Sequence, residues 1–109
     1  MKKRTAVFND YEVIVKMVSE KNEKLCGNYG MTYFNENVIY ITNGLTKELL
    51  KRTLIHELMH YALYAYDLGA EDAAAGIGIS TEEQLCAFAE HAVPLVYEQA
   101  MDMLAYFSA

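Results

Sequence analysis

Alternating apolar and polar positions mark the first third of the chain. Thr5-Ala6-Val7-Phe8 and Tyr11 to Val15 are β-rich runs on either side of Asn9-Asp10, which predicts two strands joined by a two-residue turn. Ser19 to Leu25 is charged and predicts a short helix or a loop, and Cys26-Gly27-Asn28 breaks the chain. Tyr29 to Phe34 and Val38 to Thr42 flank Asn35-Glu36-Asn37 and predict a second hairpin. Asn43-Gly44 ends the strand region. The period then changes. Leu49, Leu50, Leu54, Leu58, Tyr61 and Ala65 recur at helical spacing, predicting one long helix from Leu45 to about Leu68, with Thr46 as N-cap and Gly69 as the terminating glycine. Gly69 to Ser80 reads as a loop. Ser80 with Glu83, or Thr81 with Gln84, fits a capping box for a second helix running toward the C-terminus, which Pro94 should kink or divide. Strands followed by helices predict an α+β fold: a small antiparallel sheet of hairpins packed on the long helix and a second C-terminal helix.

Composition adds bounds. At 109 residues, 53% hydrophobic and 22% charged, the chain reads as a single globular domain over residues 1–109, not as disorder or coiled coil. No apolar run reaches the length of a transmembrane helix. Asn9, Asp10 and Glu12 interrupt any apolar stretch after Met1-Lys2-Lys3-Arg4, so a cytoplasmic location is expected. Cys26 and Cys86 belong to no zinc-type spacing and read as buried thiols, not a disulfide.

Charge is unevenly spread. Residues 1–52 hold all nine Lys and Arg against six acids, a balance of +3; residues 53–109 hold nine acids and no Lys or Arg, a balance of −9. The acidic half argues against a nucleic-acid partner and suits a site that attracts a cation.

The long helix carries His56-Glu57-Leu58-Met59-His60, an HExxH motif. Histidines four apart lie on one helix face, where their imidazoles can converge on one ion. Glu57, beside the first, can reach a water on that ion without ligating it. His56 and His60 are therefore the candidate metal ligands, Glu57 the candidate catalytic base and Zn2+ the expected cofactor.

Zinc with two histidines needs a third protein ligand, and the downstream candidates are Glu71, Asp72, Glu82, Glu83, Glu90 and His91. A helix advancing about 100° per residue places Leu85, Cys86, Ala89, Val93, Val96 and Ala100 in one apolar stripe that contains Glu82. Glu83 and Glu90 flank that stripe, and His91 faces away. A carboxylate at the end of an apolar stripe has a desolvation penalty that a metal offsets, which favours Glu82, with Glu83 next.

These motifs resemble the gluzincin-type zinc peptidases, and more closely the small ImmA/IrrE-like metallopeptidases with their phage- and prophage-encoded members. Thr53 to Leu63 looks like their metal helix, Glu82-Glu83-Gln84-Leu85-Cys86-Ala87-Phe88-Ala89 like their second motif, and Gly30 to Phe34 with Val38 to Ile41 like their preceding hairpin. The resemblance spans most of residues 29–94. It implies a zincin-like fold, a peptide or protein substrate, hydrolysis by zinc-activated water with Glu57 as base, and Glu82 as third ligand. Four residues after that ligand the family usually has Asp or Asn, able to orient a ligating histidine; here Cys86 stands instead, a weak acceptor. The alternative is a non-catalytic zinc-binding module that grips a protein partner. No membrane partner is expected. Tyr61, Tyr64, Tyr66 and Tyr97 are candidate oxyanion donors, and the Val38 to Thr42 strand is a candidate edge for an extended peptide.

Overall fold

The computed structural model describes residues 2–66 and 82–109. Gly69, Glu71, Asp72, Ser80 and Thr81, named above for a helix end, a loop, ligands and caps, lie outside them.

Strands β1 (Lys3–Phe8) and β2 (Tyr11–Val18) form the first hairpin, antiparallel, with Phe8 opposite Tyr11. Asn9 and Asp10 turn it with φ of 47° and 68°. Two successive positive φ values twist a two-residue turn with the strands, and Asn and Asp tolerate that region better than most side chains. A 3-10 turn at Glu23–Leu25 follows, capped by Asn22, whose side chain accepts from the Lys24 N–H. Strands β3 (Gly30–Tyr33) and β4 (Val38–Thr42) form the second hairpin.

The two hairpins do not make a purely antiparallel sheet. The strand order is β1-β2-β4-β3, and β2 pairs with β4 in parallel, Ile14 opposite Val38 and Met17 opposite Ile41. The sheet is mixed, which corrects the antiparallel expectation. The alternation of Val13, Val15 and Met17 with Ile14 and Lys16 states which face is buried, but not which strand lies alongside. It also moves the edge. Val38–Thr42 lies between two partners, so it is not the edge strand anticipated above; the edges are β1 and β3.

Helix α1 (Lys47–Ala65) starts where the cap was read: the Thr46 side chain accepts from the Leu49 N–H at 3.2 Å. It ends at Tyr66, with the Asn9 side chain donating to the Ala65 carbonyl at 2.9 Å. Leu50, Leu54, Leu58, Tyr61, Ala62 and Ala65 are buried along one side. They meet Ala6, Phe8, Val13, Val15, Ile39 and Ile41 from the sheet. Each buried Leu or Ile contributes roughly 1.5–3 kcal/mol relative to exposure.

Past the undescribed segment come α2 (Glu82–His91) and α3 (Val93–Phe107), with Pro94 in the first turn of α3. Proline therefore divides the C-terminal helix, as its missing N–H dictates away from a first turn. The core face of α3 is Val96, Ala100, Met103, Leu104 and Phe107, packed on α1. α3 also closes the β1 edge. The Gln99 side chain accepts from the Val7 N–H (2.7 Å) and donates to the Val7 carbonyl (2.9 Å), imitating a neighbouring strand. Arg4 adds two hydrogen bonds to Asp102 at 2.7 and 3.2 Å. Among the described residues, no helix is long and apolar enough to cross a membrane.

The face assigned to α2 is corrected. Phe88 is its buried residue and continues through Ala92 into the core, whereas Leu85 is 53% exposed and Cys86 is exposed. One phenylalanine ring, seated edge-on against Tyr66 with centroids 6.5 Å apart, outweighs a stripe of smaller residues. Cys26 is exposed as well, ending the 3-10 turn in a left-handed conformation (φ 51°). Both thiols are free, but neither is buried as the composition suggested.

Candidate functional site

The hairpin β3–β4 sets the rotation of α1. Glu57 and Tyr61, one turn apart, both reach into it. Thr32 Oγ1 donates to Glu57 Oε1 at 2.7 Å. Tyr61 Oη donates to Asn37 Oδ1 at 2.7 Å and to the Glu12 carbonyl at 3.1 Å. Burial pushes the Tyr61 phenol up to about 12. With 57 and 61 facing the sheet, positions 56 and 60 turn outward. The side chain of His56 is 67% exposed and that of Glu57 only 9%.

Close approach of strand and helix depends on Gly30. A Cβ at this position would lie 2.9 Å from Glu57 Cγ, 3.0 Å from Thr53 Cγ2 and 3.1 Å from Ile41 Cδ1. Only hydrogen fits there. Thr53 satisfies its own hydroxyl on the Leu49 carbonyl at 2.8 Å, so its methyl faces Gly30.

The two imidazoles converge. His56 Nε2 and His60 Nε2 are 3.1 Å apart, with the rings nearly perpendicular at 84°. In the neutral rings an Nε2–H of one meets the bare Nε2 of the other. The same spacing suits two ligands of one ion: with bonds of about 2.0–2.1 Å, nitrogens this far apart subtend about 100°. Glu57 Oε2 lies 3.9 Å from His56 Nε2, too far for a direct hydrogen bond and close enough to share a water. One carboxylate oxygen is thus fixed by Thr32 and the other lies nearest His56.

The structure brings together His56, Glu57 and His60, but not the rest of the expected set. Glu82 and Glu83 are exposed on the first turn of α2. Among the described residues, no three His, Cys, Asp or Glu side chains gather in the way that holds an ion. Two donors stand at a spacing that one ion could bridge, and among the described residues no third protein ligand joins them. Glu90 and His91 are exposed.

Two clefts flank the histidine ridge. One, of about 610 Å³, runs between α1 and β3 and is lined by Gly30, Met31, Thr32, Arg52, His56, Glu57 and His60, with Asn28, Tyr29, Phe34, Leu49 and Thr53. The other, of about 500 Å³, is lined by Arg52, Ile55, His56, Met59, His60, Leu63 and Tyr97.

These walls sort the tyrosines. Tyr61 is committed to the hairpin, Tyr64 packs among Tyr11, Phe34 and Tyr61, and Tyr66 meets Phe88 edge-on. Tyr97, 49% exposed, is the one of the four that shares a cleft with the histidines. Thr32 and Arg52 are site residues that the motif did not announce. A hydroxyl residue in a hairpin preceding an HExxH helix was a weak signal for Thr32. Arg52, one turn before His56, was legible from helix spacing alone. No family model, curated protein or solved structure matches this chain.

Proposed function

We propose that this chain is a small zinc-dependent peptidase, hydrolysing peptide bonds of a protein substrate. The observation that carries the reading is the joint geometry of the HExxH side chains: two Nε2 atoms 3.1 Å apart and, beside them, a buried carboxylate with one oxygen tethered and one nearest His56. A hydrogen-bonded histidine pair alone would not need a carboxylate held in that position. The resemblance of residues 53–63 to the metal helix of ImmA/IrrE-like peptidases, carried by the same motif, agrees with it.

In this reading His56 and His60 hold the ion, and Glu82, exposed on the first turn of α2 and not gathered with them, is the proposed third ligand. Zinc, when bound, supplies a Lewis acid that brings the pKa of a water toward 7. Glu57 Oε2 accepts the proton of the attacking water and returns it to the leaving amine. Thr32 keeps Oε1 from rotating into that role. Tyr97 Oη donates to the oxyanion from the second cleft. The extended substrate lies along β3, whose outer edge has no strand partner among the described residues and which shares the larger cleft with Glu57.

A second reading has a specific observation behind it: no third ligand is gathered around the histidines among the described residues, and Cys86 is exposed. It makes the chain a zinc-holding interaction module without hydrolysis. One variant separates the two. Glu57→Gln should keep zinc and lose cleavage of an unfolded protein substrate if the chain is a peptidase. Partner capture that survives Glu57→Gln, with no cleavage by the parent, supports the module.

A further inference from the structure

We propose that Arg52 forms a carboxylate-binding subsite beside the histidines, so that the preferred peptide carries an acidic side chain or its own C-terminal carboxylate there. The proposal rests on the reading of the ligand as a peptide and adds what that peptide must contain.

Arg52 lies one turn before His56 and two before His60 on α1, and it is exposed. It lines both clefts, sharing that position with the two histidines. Among the described residues it is the one Lys or Arg in either wall. Among the described residues its charge has no ion-pair partner. Glu48, one turn earlier, is not within ion-pair distance, and the described ion pairs involve Arg4, Lys24 and His56 instead. The one acid in these walls is Glu57, whose carboxylate is buried and held by Thr32. A guanidinium is planar and binds a carboxylate through two parallel hydrogen bonds, which fixes orientation as well as charge.

The surroundings choose the ligand class. A nucleic-acid or polyphosphate ligand calls for several cations along its path, and these walls offer one. Beside Arg52 stand Met31, Tyr29 and Leu49 in the larger cleft and Ile55 and Met59 in the smaller. One cation among apolar and aromatic walls matches a peptide with one carboxylate amid uncharged neighbours. Residues 53–109 carry no Lys or Arg, so no other permanently cationic side chain of that half competes for the same carboxylate.

The test uses the full chain as Glu57→Gln, immobilised with zinc present. Three N-acetylated heptapeptide pools, randomised over uncharged residues, are passed over it, and retention is read by mass spectrometry. The first has a fixed central Glu and an amidated C-terminus, the second Gln and an amidated C-terminus, and the third Gln and a free C-terminal carboxylate. One charged pool should be retained about tenfold over the second, as a charge-assisted bidentate pair in a cleft implies. Which pool it is names the source of the carboxylate. Adding Arg52→Gln should bring the ratio to about one, and Arg52→Lys should restore part of it. Equal retention of all three pools, retention of none, or a ratio unchanged by Arg52→Gln in a chain with the parent circular dichroism overturns the subsite. The parent chain, given the same pools, keeps the two claims apart. Selective retention without cleavage leaves the subsite standing and removes the peptidase; cleavage without charge preference does the reverse.

Discussion

Thr32 Oγ1 donates to Glu57 Oε1 at 2.7 Å, joining an edge strand of the sheet to the buried carboxylate of the histidine helix. The bond does two things. It satisfies a carboxylate that packing has removed from water, and it decides which oxygen lies nearest His56.

Thr32→Val keeps the shape and removes the donor. Glu57 Oε1 is then buried without its partner, which should destabilise the chain by about 1–3 kcal/mol in urea unfolding. In a cleavage assay the loss should fall on kcat more than on KM. A Thr32→Ser variant should recover most of both. Unchanged stability in Thr32→Val would mean that the hydrogen bond does not form in solution.

Gly30→Ala places a methyl against Glu57, Thr53 and Ile41 at 2.9–3.1 Å. Ile41 is in the core and Thr53 and Glu57 are buried on α1, so relief requires strand and helix to separate. The expected loss is about 1–3 kcal/mol, as for other overpacked sites, and is read from the urea midpoint. Alanine at Gly27, where φ is +80° but no atom stands within 4 Å, is the comparison that isolates packing from backbone strain.

Tyr61 makes stability depend on alkaline pH. Its folded pKa of about 12 lies above the ordinary value of 10, because burial disfavours the phenolate. The folded state therefore holds its proton more tightly. That contribution is fully present below about pH 10 and is lost as pH rises from 10 toward 12. Tyr61→Phe should flatten this limb of the stability profile while lowering stability near neutrality, since Asn37 Oδ1 and the Glu12 carbonyl lose their donor. An alkaline limb of equal slope in the variant would assign the titration to another group.

Gln99→Ala should uncover β1. The Val7 N–H and carbonyl lose their two partners, at a cost of about 1–2 kcal/mol together. The freed edge should also promote self-association at raised concentration, measured by sedimentation velocity. A variant that stays as monodisperse as the parent would show that α3 covers this edge without Gln99.

Much of this is legible in the sequence, for a local reason. The Asn9-Asp10 turn, the strands on either side of it, the Thr46 cap and the His56-Glu57-His60 spacing depend on residues within four or five positions of one another. What could not be read depends on distant pairs. The parallel match of Ile14 with Val38, and with it the choice of β3 as edge, is settled by how two hairpins share one helix. Thr32 and Asn37 acquire meaning only with Glu57 and Tyr61 beside them, 25 and 24 residues away in sequence respectively. The stripe through Leu85, Cys86 and Ala89 leaves out Phe88, and the phase of α2 follows Phe88 instead. Its ring buries more apolar area than any of them, and it alone found a partner in Tyr66.

The most direct measurement is a calorimetric zinc titration of the metal-free full chain, repeated on His60→Ala, Glu82→Ala and Glu57→Gln. One zinc per chain should bind the parent and Glu57→Gln alike, with affinity lost in His60→Ala and weakened in Glu82→Ala. Absence of zinc uptake by the parent, or uptake unchanged by His60→Ala, would contradict a metal centre on α1 and leave His56 and His60 as a hydrogen-bonded pair on its surface.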